Sequence, residues 1–383
     1  MSNATIPFGK PEIDENEIDA VVSCMKSGWL TTGRKTAEFE EVFGHYIGST
    51  VNVAVSSCTA ALHISLIASG VSYGDEVITT PLTFVSTLNV IEHIGATPVL
   101  VDISKDTFNI DPHQIEKAIT KKTVAIIVVH YAGHPCDMNA INQIATKYNL
   151  VVIEDAAHAL GARYNGKYIG DSENLVCFSF YPTKNITTAE GGMISTNNDK
   201  YRTKLLQLRL HGLSTDAWKR YTNTGSWIYD VTEPGFKYNM PDILAAIGIE
   251  QLKKVDVLNN KRYDLIERYK KNLCDYENFL VWQNTRENSI HSNFMFPICL
   301  DAPLERCEAI DFLLENKIQS SVLFIPAYKF SYYKIKYQYN IENLSICENV
   351  SSRLLCLPLY SSLDLADVDK ISSCLIYFIE KHK

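Results

Sequence analysis

Cys177-Phe178-Ser179-Phe180-Tyr181-Pro182-Thr183-Lys184-Asn185-Ile186-Thr187-Thr188-Ala189-Glu190-Gly191-Gly192-Met193 places a single lysine between two apolar runs. Residues 175–180 read as a buried strand and the polar residues after them as a turn. Gly191-Gly192 then opens a second strand over 193–196. An amine held beside a buried strand is poorly solvated, which favours its neutral form. A neutral amine is what a Schiff base with a carbonyl group requires. A solvated loop lysine leaves the same local pattern, so Lys184 gains meaning only from the residues around it.

Upstream of this stretch, apolar runs and helical periodicity alternate. Strands are expected over 51–55, 76–80, 97–101, 123–129 and 150–154, and helices over 59–69, 85–94, 111–118 and 138–148. Helical spacing also marks 11–28 and 35–46, separated by the breaker Gly28-Trp29-Leu30-Thr31-Thr32-Gly33. Such alternation implies an α/β fold with a mainly parallel sheet and right-handed crossovers, and these sheets bind ligands at the carboxyl ends of their strands.

Downstream, 201–211 reads as a helix and 212–238 as a long functional loop. Pro241 starts a helix that continues, bent, towards Leu273. Beyond about residue 260 the pattern changes to mixed helices and short strands such as 294–298. The reading is therefore a large domain over 1–255 and a smaller α+β domain over 256–383.

Composition narrows the function. The chain has 383 residues, 46% hydrophobic and 21% charged, with a net charge of −8. That balance argues against a nucleic-acid or anionic-membrane surface. No window approaches the length of a membrane span, and the polar, acidic N-terminus reads as no signal peptide. Ten cysteines without paired spacing suit a reducing, cytoplasmic setting.

Three features fall at expected strand ends. Ser56-Ser57-Cys58-Thr59 stands between a strand and a helix, where exposed backbone N–H groups and the helix dipole suit a phosphate; a plain N-cap reads the same way. Asp155 ends the strand over 150–154, where a carboxylate raises the pKa of a nearby ring nitrogen, and His158 follows three residues on. The bland alternative is an aspartate cap and a hydrogen-bonded histidine. Thr83-Phe84 offers an aromatic that lies on a planar ring or simply joins the core. A phosphate site, a ring-nitrogen carboxylate, a stacking aromatic and a Schiff-base lysine are together the four handles of pyridoxal 5′-phosphate (PLP).

On these residues the chain resembles the DegT/DnrJ-type family of PLP-dependent sugar aminotransferases, of the aspartate-aminotransferase-like fold type I. The carrying motifs are GWLTTG (28–33), SSCTAALH (56–63), TPLTFVSTLN (80–89), EDAAHALGA (154–162), FSFYPTKNITTAEGGM (178–193), LRLHG (208–212), GFKYNMPDILAAIGIEQL (235–252) and LPLY (357–360). The resemblance implies that Lys184 holds the cofactor as a Schiff base and shuttles a proton. It implies that Asp155 pairs with the pyridinium nitrogen, His158 sits at the phenolic oxygen and Phe84 stacks on the ring. Cys58, Thr59 and Ser179 would hold the phosphate, and the segment Lys237-Tyr238-Asn239 would reach the phosphate of a neighbouring subunit in a homodimer. Thr31, Tyr181 and the 212–238 loop, with Lys237, are the candidates for the sugar side. Three departures stand out: Lys237 and Asn239 where many relatives carry Asn and Arg, Leu323-Phe324 where relatives often carry His-Tyr, and Cys58 where Gly or Ala is usual.

The activity so implied is ping-pong transfer of an amino group from L-glutamate to the keto carbon, C4, of a nucleotide-linked keto-deoxy sugar, for a surface polysaccharide such as lipopolysaccharide O-antigen, a glycan or an antibiotic. A cyclitol (inosose) aminotransferase shares nearly the same cofactor handles. A non-catalytic, regulatory PLP-binding protein is the reading from a different class, and the intact Lys184 and Asp155 speak against it. Dehydratase relatives replace the lysine with His. Gly161-x-x-x-x-Gly166-Lys167 lacks the Ser or Thr of a nucleotide-binding loop, having Tyr168 instead. His130 and His134 are four apart, but Gly133 and Pro135 work against the helix a metal pair needs, so no metal site is expected.

Overall fold

A computed structural model describes residues 5–214 and 229–383. Two helices, α1 (Glu15–Lys26) and α2 (Arg34–Ile47), precede the first strand. The first starts at Glu15, later than the periodicity suggests, because Asp14 forms a capping box: its side chain accepts from the Asn16 N–H, and Glu17 accepts from the Asp14 N–H.

The expected alternation follows: β1 (Val51–Val55), α3 (Cys58–Ala68), β2 (Glu76–Thr79), α4 (Ser86–His93), β3 (Thr97–Leu100) and α5 (Pro112–Ala118). It continues with β4 (Thr123–Val129), α6 (Met138–Tyr148) and β5 (Val151–Asp155). A small hairpin, β6 (Arg163–Tyr164) and β7 (Lys167–Tyr168), leads to β8 (Leu175–Ser179), β9 (Gly192–Thr196) and α7 (Arg202–Leu208). The hairpin turn is Asn165-Gly166, both at positive φ, with Lys167 opening β7, so the loop-like glycine motif is a β-turn.

Seven strands form one sheet in the order β1-β9-β8-β5-β4-β2-β3. Only β9 runs against its neighbours; the other four pairings are parallel. The turn over 180–191 thus connects two adjacent antiparallel strands at the edge where β1, β2, β4 and β5 also end. Strand alternation fixes the packing on both faces. Leu175 and Cys177 join the layer under α3, while Val176 and Phe178 join Phe39 and Phe43 on the opposite side. Phe43 meets Phe178 edge-on at 5.2 Å.

The chain then runs through α8 (Asp242–Lys253) and α9 (Val255–Leu273), with the expected bend at Lys254. Short strands and helices follow: β10 (Leu280–Trp282), β11 (Ser289–Ile290), β12 (Phe296–Leu300), α10 (Arg306–Glu315), α11 (Ser331–Tyr337), α12 (Ser345–Arg353), β13 (Leu354–Leu357) and α13 (Leu365–His382). The order β10-β12-β13 makes an antiparallel sheet whose Phe296, Ile298 and Leu355 pack with Leu265, Leu375 and Phe378 as a second core. Ile6, near the N-terminus, bridges to Ile318 and lies in that core as well. The division expected at 255–256 thus falls one residue past the helix break at Lys254.

Two local expectations are corrected. The strand expected over 294–298 is Phe296–Leu300, because the Asn293 N–H bonds the His291 ring and Asn293 turns at φ +57 just before it. The helix expected over 201–211 ends at Leu208, because Leu210 instead bridges to Lys237. The expected loop over 212–238 falls partly on 215–228, outside the described residues. Among the described residues, no helix is long and apolar enough to cross a membrane.

Candidate active site

The carboxyl ends of β1, β2, β5 and β8 surround a cavity of about 430 Å3, within the usual size range of ligand sites. Lys184, Asp155, His158, Cys58, Thr59, Phe84, Ser179 and Tyr181 all line it. The residues singled out by sequence therefore converge on one place although up to 126 positions separate them, from Cys58 to Lys184.

Lys184 enters from the turn after β8, where its N–H bonds the Tyr181 carbonyl. Its ammonium lies 4.6 Å from the centre of the Phe294 ring. Burial lowers its pKa to about 8, while Asp155 and Cys58 pull it upward.

Asp155 is the last residue of β5, anchored by the His130 N–H on its carbonyl. Its side chain accepts from the Ala157 N–H at 3.1 Å and from the Thr87 hydroxyl at 3.0 Å. Burial raises its pKa, and these two donors, with Lys184, oppose that rise.

His158 follows in the turn after β5 and stacks on Phe294 with ring centres 4.3 Å apart. Burial holds its pKa well below the ordinary imidazole value, so the ring is neutral. Its Nδ1 is buried without a protein partner.

The first turn of α3 closes another side. Ser57 caps the helix by accepting from the Ala60 N–H at 3.1 Å, which leaves the Cys58 and Thr59 N–H groups as the unpaired donors of a helix start. Gly192 stands against this turn: a Cβ there would lie 2.6 Å from the Ser57 carbonyl carbon and 2.7 Å from the Cys58 nitrogen. The Cys58 thiol points elsewhere, 3.5 Å from the Cys177 carbonyl and 3.9 Å from Asp155, and burial raises its pKa well above normal. Cys58 therefore contributes to an anion site through its backbone.

Phe84 is 58% exposed at the mouth, where its ring is available as a face for a planar ligand. Thr31, Lys237 and Asn239 are not brought to this cavity. The Thr31 carbonyl accepts from the Asp242 N–H, Lys237 is exposed, and the Asn239 amide donates to the Thr32 hydroxyl at 2.6 Å.

Sequence reading missed the wall opposite Lys184, built by Phe294, Met295, Leu323 and Phe324. Phe324 lies 5.7 Å from His158 and 5.8 Å from Phe84. Only the Leu323-Phe324 departure hinted at it. His130 and His134 have separate partners: His130 bonds Glu154 at 2.9 Å, and His134 bonds Asn109 at 3.1 Å. Among the described residues no cluster suits a metal ion.

The chemistry fits PLP. A buried unpartnered imidazole nitrogen, a carboxylate at a strand end, a depressed lysine and a helix start with free N–H groups are the donors and acceptors such a cofactor needs.

Known proteins agree. SpsC of Bacillus subtilis, a spore coat polysaccharide biosynthesis protein, is 41% identical over 373 residues, covering 96% of each chain. The uncharacterized protein MJ1066 of Methanocaldococcus jannaschii is 44% identical over 381 residues, covering 99% of this chain and 98% of its own. The putative sugar aminotransferase Spr1654 of Streptococcus pneumoniae, solved in its PMP form, superposes with a TM-score of 0.93 at 33% identity, covering 99% of this chain and all of its own. The same protein in its PLP form gives 0.92. With a family model matching residues 11–376, the chain belongs to the DegT/DnrJ/EryC1/StrS aminotransferase family and is a PLP-dependent transaminase.

Proposed function

We propose that this aminotransferase moves an amino group from L-glutamate to the keto carbon, C4, of a nucleotide-linked keto-deoxy sugar. The observation that carries the reading is the meeting of Lys184, Asp155 and His158 in one cavity, with an amine already depressed to about 8. When bound, PLP supplies an aldehyde carbon and an electron-accepting ring. Lys184 would hold the cofactor, and its Nζ would take the proton from the donor's α-carbon. Asp155 holds positive charge at the ring nitrogen, and His158 offers Nδ1 to the phenolic oxygen. The α3 start and Ser179 bind the phosphate. In the second half of the cycle Lys184 returns a proton to the carbon that held the ketone.

The apolar wall of Phe294, Met295, Leu323 and Phe324 supports a deoxygenated sugar edge, because it has no side-chain donor for a hydroxyl. The likeness to SpsC supports a product built into a surface polysaccharide, of which O-antigen is one case. Thr31, Lys237 and Asn239 lie away from the cavity of their own chain, which supports a homodimer in which they serve the partner's site, with Thr31 and Lys237 towards the sugar and Asn239 towards the phosphate. The apolar face of α1, with Ile18, Val22 and Met25 exposed, is consistent with such an assembly. A cytoplasmic setting is part of the same proposal, as is the division into domains at 255–256.

The test is the absorption spectrum of the purified protein with PLP, before and after L-glutamate. Loss of the visible band to the near-ultraviolet band of pyridoxamine phosphate supports the donor half. Turnover of a keto sugar nucleotide and not of an inosose supports the acceptor half, and the reverse result would make the enzyme a cyclitol aminotransferase. A visible band indifferent to every amino donor would favour a regulatory PLP-binding protein.

A further inference from the structure

Behind Asp155 lies a pair of hydroxyls that the cofactor handles do not include. Thr83 lies in the bend before α4 and Thr87 in the first turn of the helix, and the chain folds there so that the two hydroxyls meet. Their Oγ1 atoms are 2.8 Å apart, and Thr87 Oγ1 is 3.0 Å from Asp155 Oδ2. Thr83 is 1% exposed and Thr87 is fully buried.

The direction of this chain follows from what each group can do. An ionised carboxylate only accepts, so the Thr87 proton points at Asp155. Thr87 then presents its lone pairs to Thr83, which donates. Thr83 to Thr87 to Asp155 is one line of buried donors, each polarising the next.

The other oxygen, Oδ1, accepts from the Ala157 N–H at 3.1 Å and lies 3.9 Å from the Cys58 sulfur. A thiol is a weak donor. Thr87 is therefore the one strong side-chain donor to this carboxylate among the described residues, and it lies three residues from Phe84 on the same short segment. The segment 83–87 thus presents a ring face at the mouth through Phe84 and holds the carboxylate at the floor through Thr87.

We propose that Thr87 is a positioning residue for the transamination: with Thr83 behind it, it holds Asp155 in one rotamer and in the charged form that the cofactor's ring nitrogen needs. This rests on the assignment of Asp155 as the ring-nitrogen partner. Burial alone would favour the neutral acid, and the Thr87 bond opposes that preference.

The test compares Thr87→Val, Thr87→Ser and Thr83→Val with wild type and with Asp155→Asn, each checked for folding by its thermal midpoint. PLP affinity is measured by titrating the cofactor-free protein, and kcat and KM by single-turnover reaction with L-glutamate. Loss of a hydrogen bond to a buried charge predicts about ten-fold weaker PLP binding in Thr87→Val, and about ten-fold lower kcat with KM for glutamate little changed. Thr87→Ser restores both, and Thr83→Val shows a smaller loss in the same direction. The proposal is overturned if Thr87→Val binds PLP and turns over as wild type does, or if Thr87→Ser is as impaired as Thr87→Val, which would make the role one of packing. If Asp155→Asn itself matches wild type, the assignment of Asp155 fails and the Thr87 role falls with it.

Discussion

The Ser292 hydroxyl donates to the His158 carbonyl at 2.5 Å, across 134 residues of sequence. The Ser292 carbonyl in turn accepts from the Asn185 side chain at 2.9 Å, next to Lys184. Ser292, four residues before the start of β12, therefore ties together the turns that carry the imidazole and the amine. Asn185 also donates to Asn259 on α9 at 2.7 Å, and Asn259 donates to the Leu160 carbonyl. Ser292→Ala deprives the His158 carbonyl of this donor, at a cost of about 1–3 kcal/mol. It is expected to lower the thermal midpoint and to reduce kcat more than PLP content. Unchanged stability and kcat would remove the clasp from the account.

Lys184→Ala removes both the anchor for the cofactor and the proton carrier. Loss of a general acid–base group predicts a fall in kcat of at least about 10³-fold, within the usual range for such groups. The visible band should disappear while the fold persists by circular dichroism. Near wild-type turnover of purified Lys184→Ala would exclude the assigned role.

The pH response of Lys184 has a defined sign. Its folded pKa of about 8 lies below the ordinary 10.5, so the unfolded chain binds more protons between those values. Stability of the cofactor-free protein should therefore rise with pH across about 8 to 10.5, and Lys184→Met should abolish that rise. The neutral fraction grows from about a tenth at pH 7 to about half at pH 8. The rate of PLP capture should climb over the same interval and level off above it. Stopped-flow absorbance checks this, and a capture rate independent of pH between 6.5 and 9 would contradict the depressed amine.

Asp155→Asn replaces a charge with a neutral amide of the same shape. A drop in kcat of about 10²-fold or more is expected, from loss of electrostatic stabilisation at the ring nitrogen. PLP binding should weaken as well. Equal kcat in the two proteins would mean that the carboxylate serves the fold alone.

The proposed sharing of the site between subunits is open to complementation. A chain with Lys237 and Asn239 both replaced by Ala should lose affinity for the sugar nucleotide and for PLP. Mixing it with Lys184→Ala chains should restore part of the activity, since one of the two sites in a hybrid dimer is intact. Mixtures with no gain over either parent, under conditions where subunits exchange, would place these residues outside the partner's site.

Much of this was legible in the sequence because it is local. Short apolar runs and helical periodicity defined the strands and helices of the large sheet, and the rule that parallel sheets bind at strand ends pointed to residues 56–59, 83–84 and 155–158. Asp155 ends a short apolar strand and Lys184 stands in the turn after another, where neighbouring residues largely determine their place. Thr87 carried no reading in the sequence, because its link to Asp155 spans 68 residues.

Only the tertiary structure decided what covers these groups. Phe294 and Phe324 reach His158 from beyond residue 290, and neither belongs to a pattern that names its partner. It also decided that the Cys58 thiol turns to the floor beside Asp155 and that Asn239 spends its amide on Thr32. The physical reason is the same in each case. Hydrophobic periodicity records which face of an element is buried, whereas the identity of the distant segment that buries it depends on how whole layers pack.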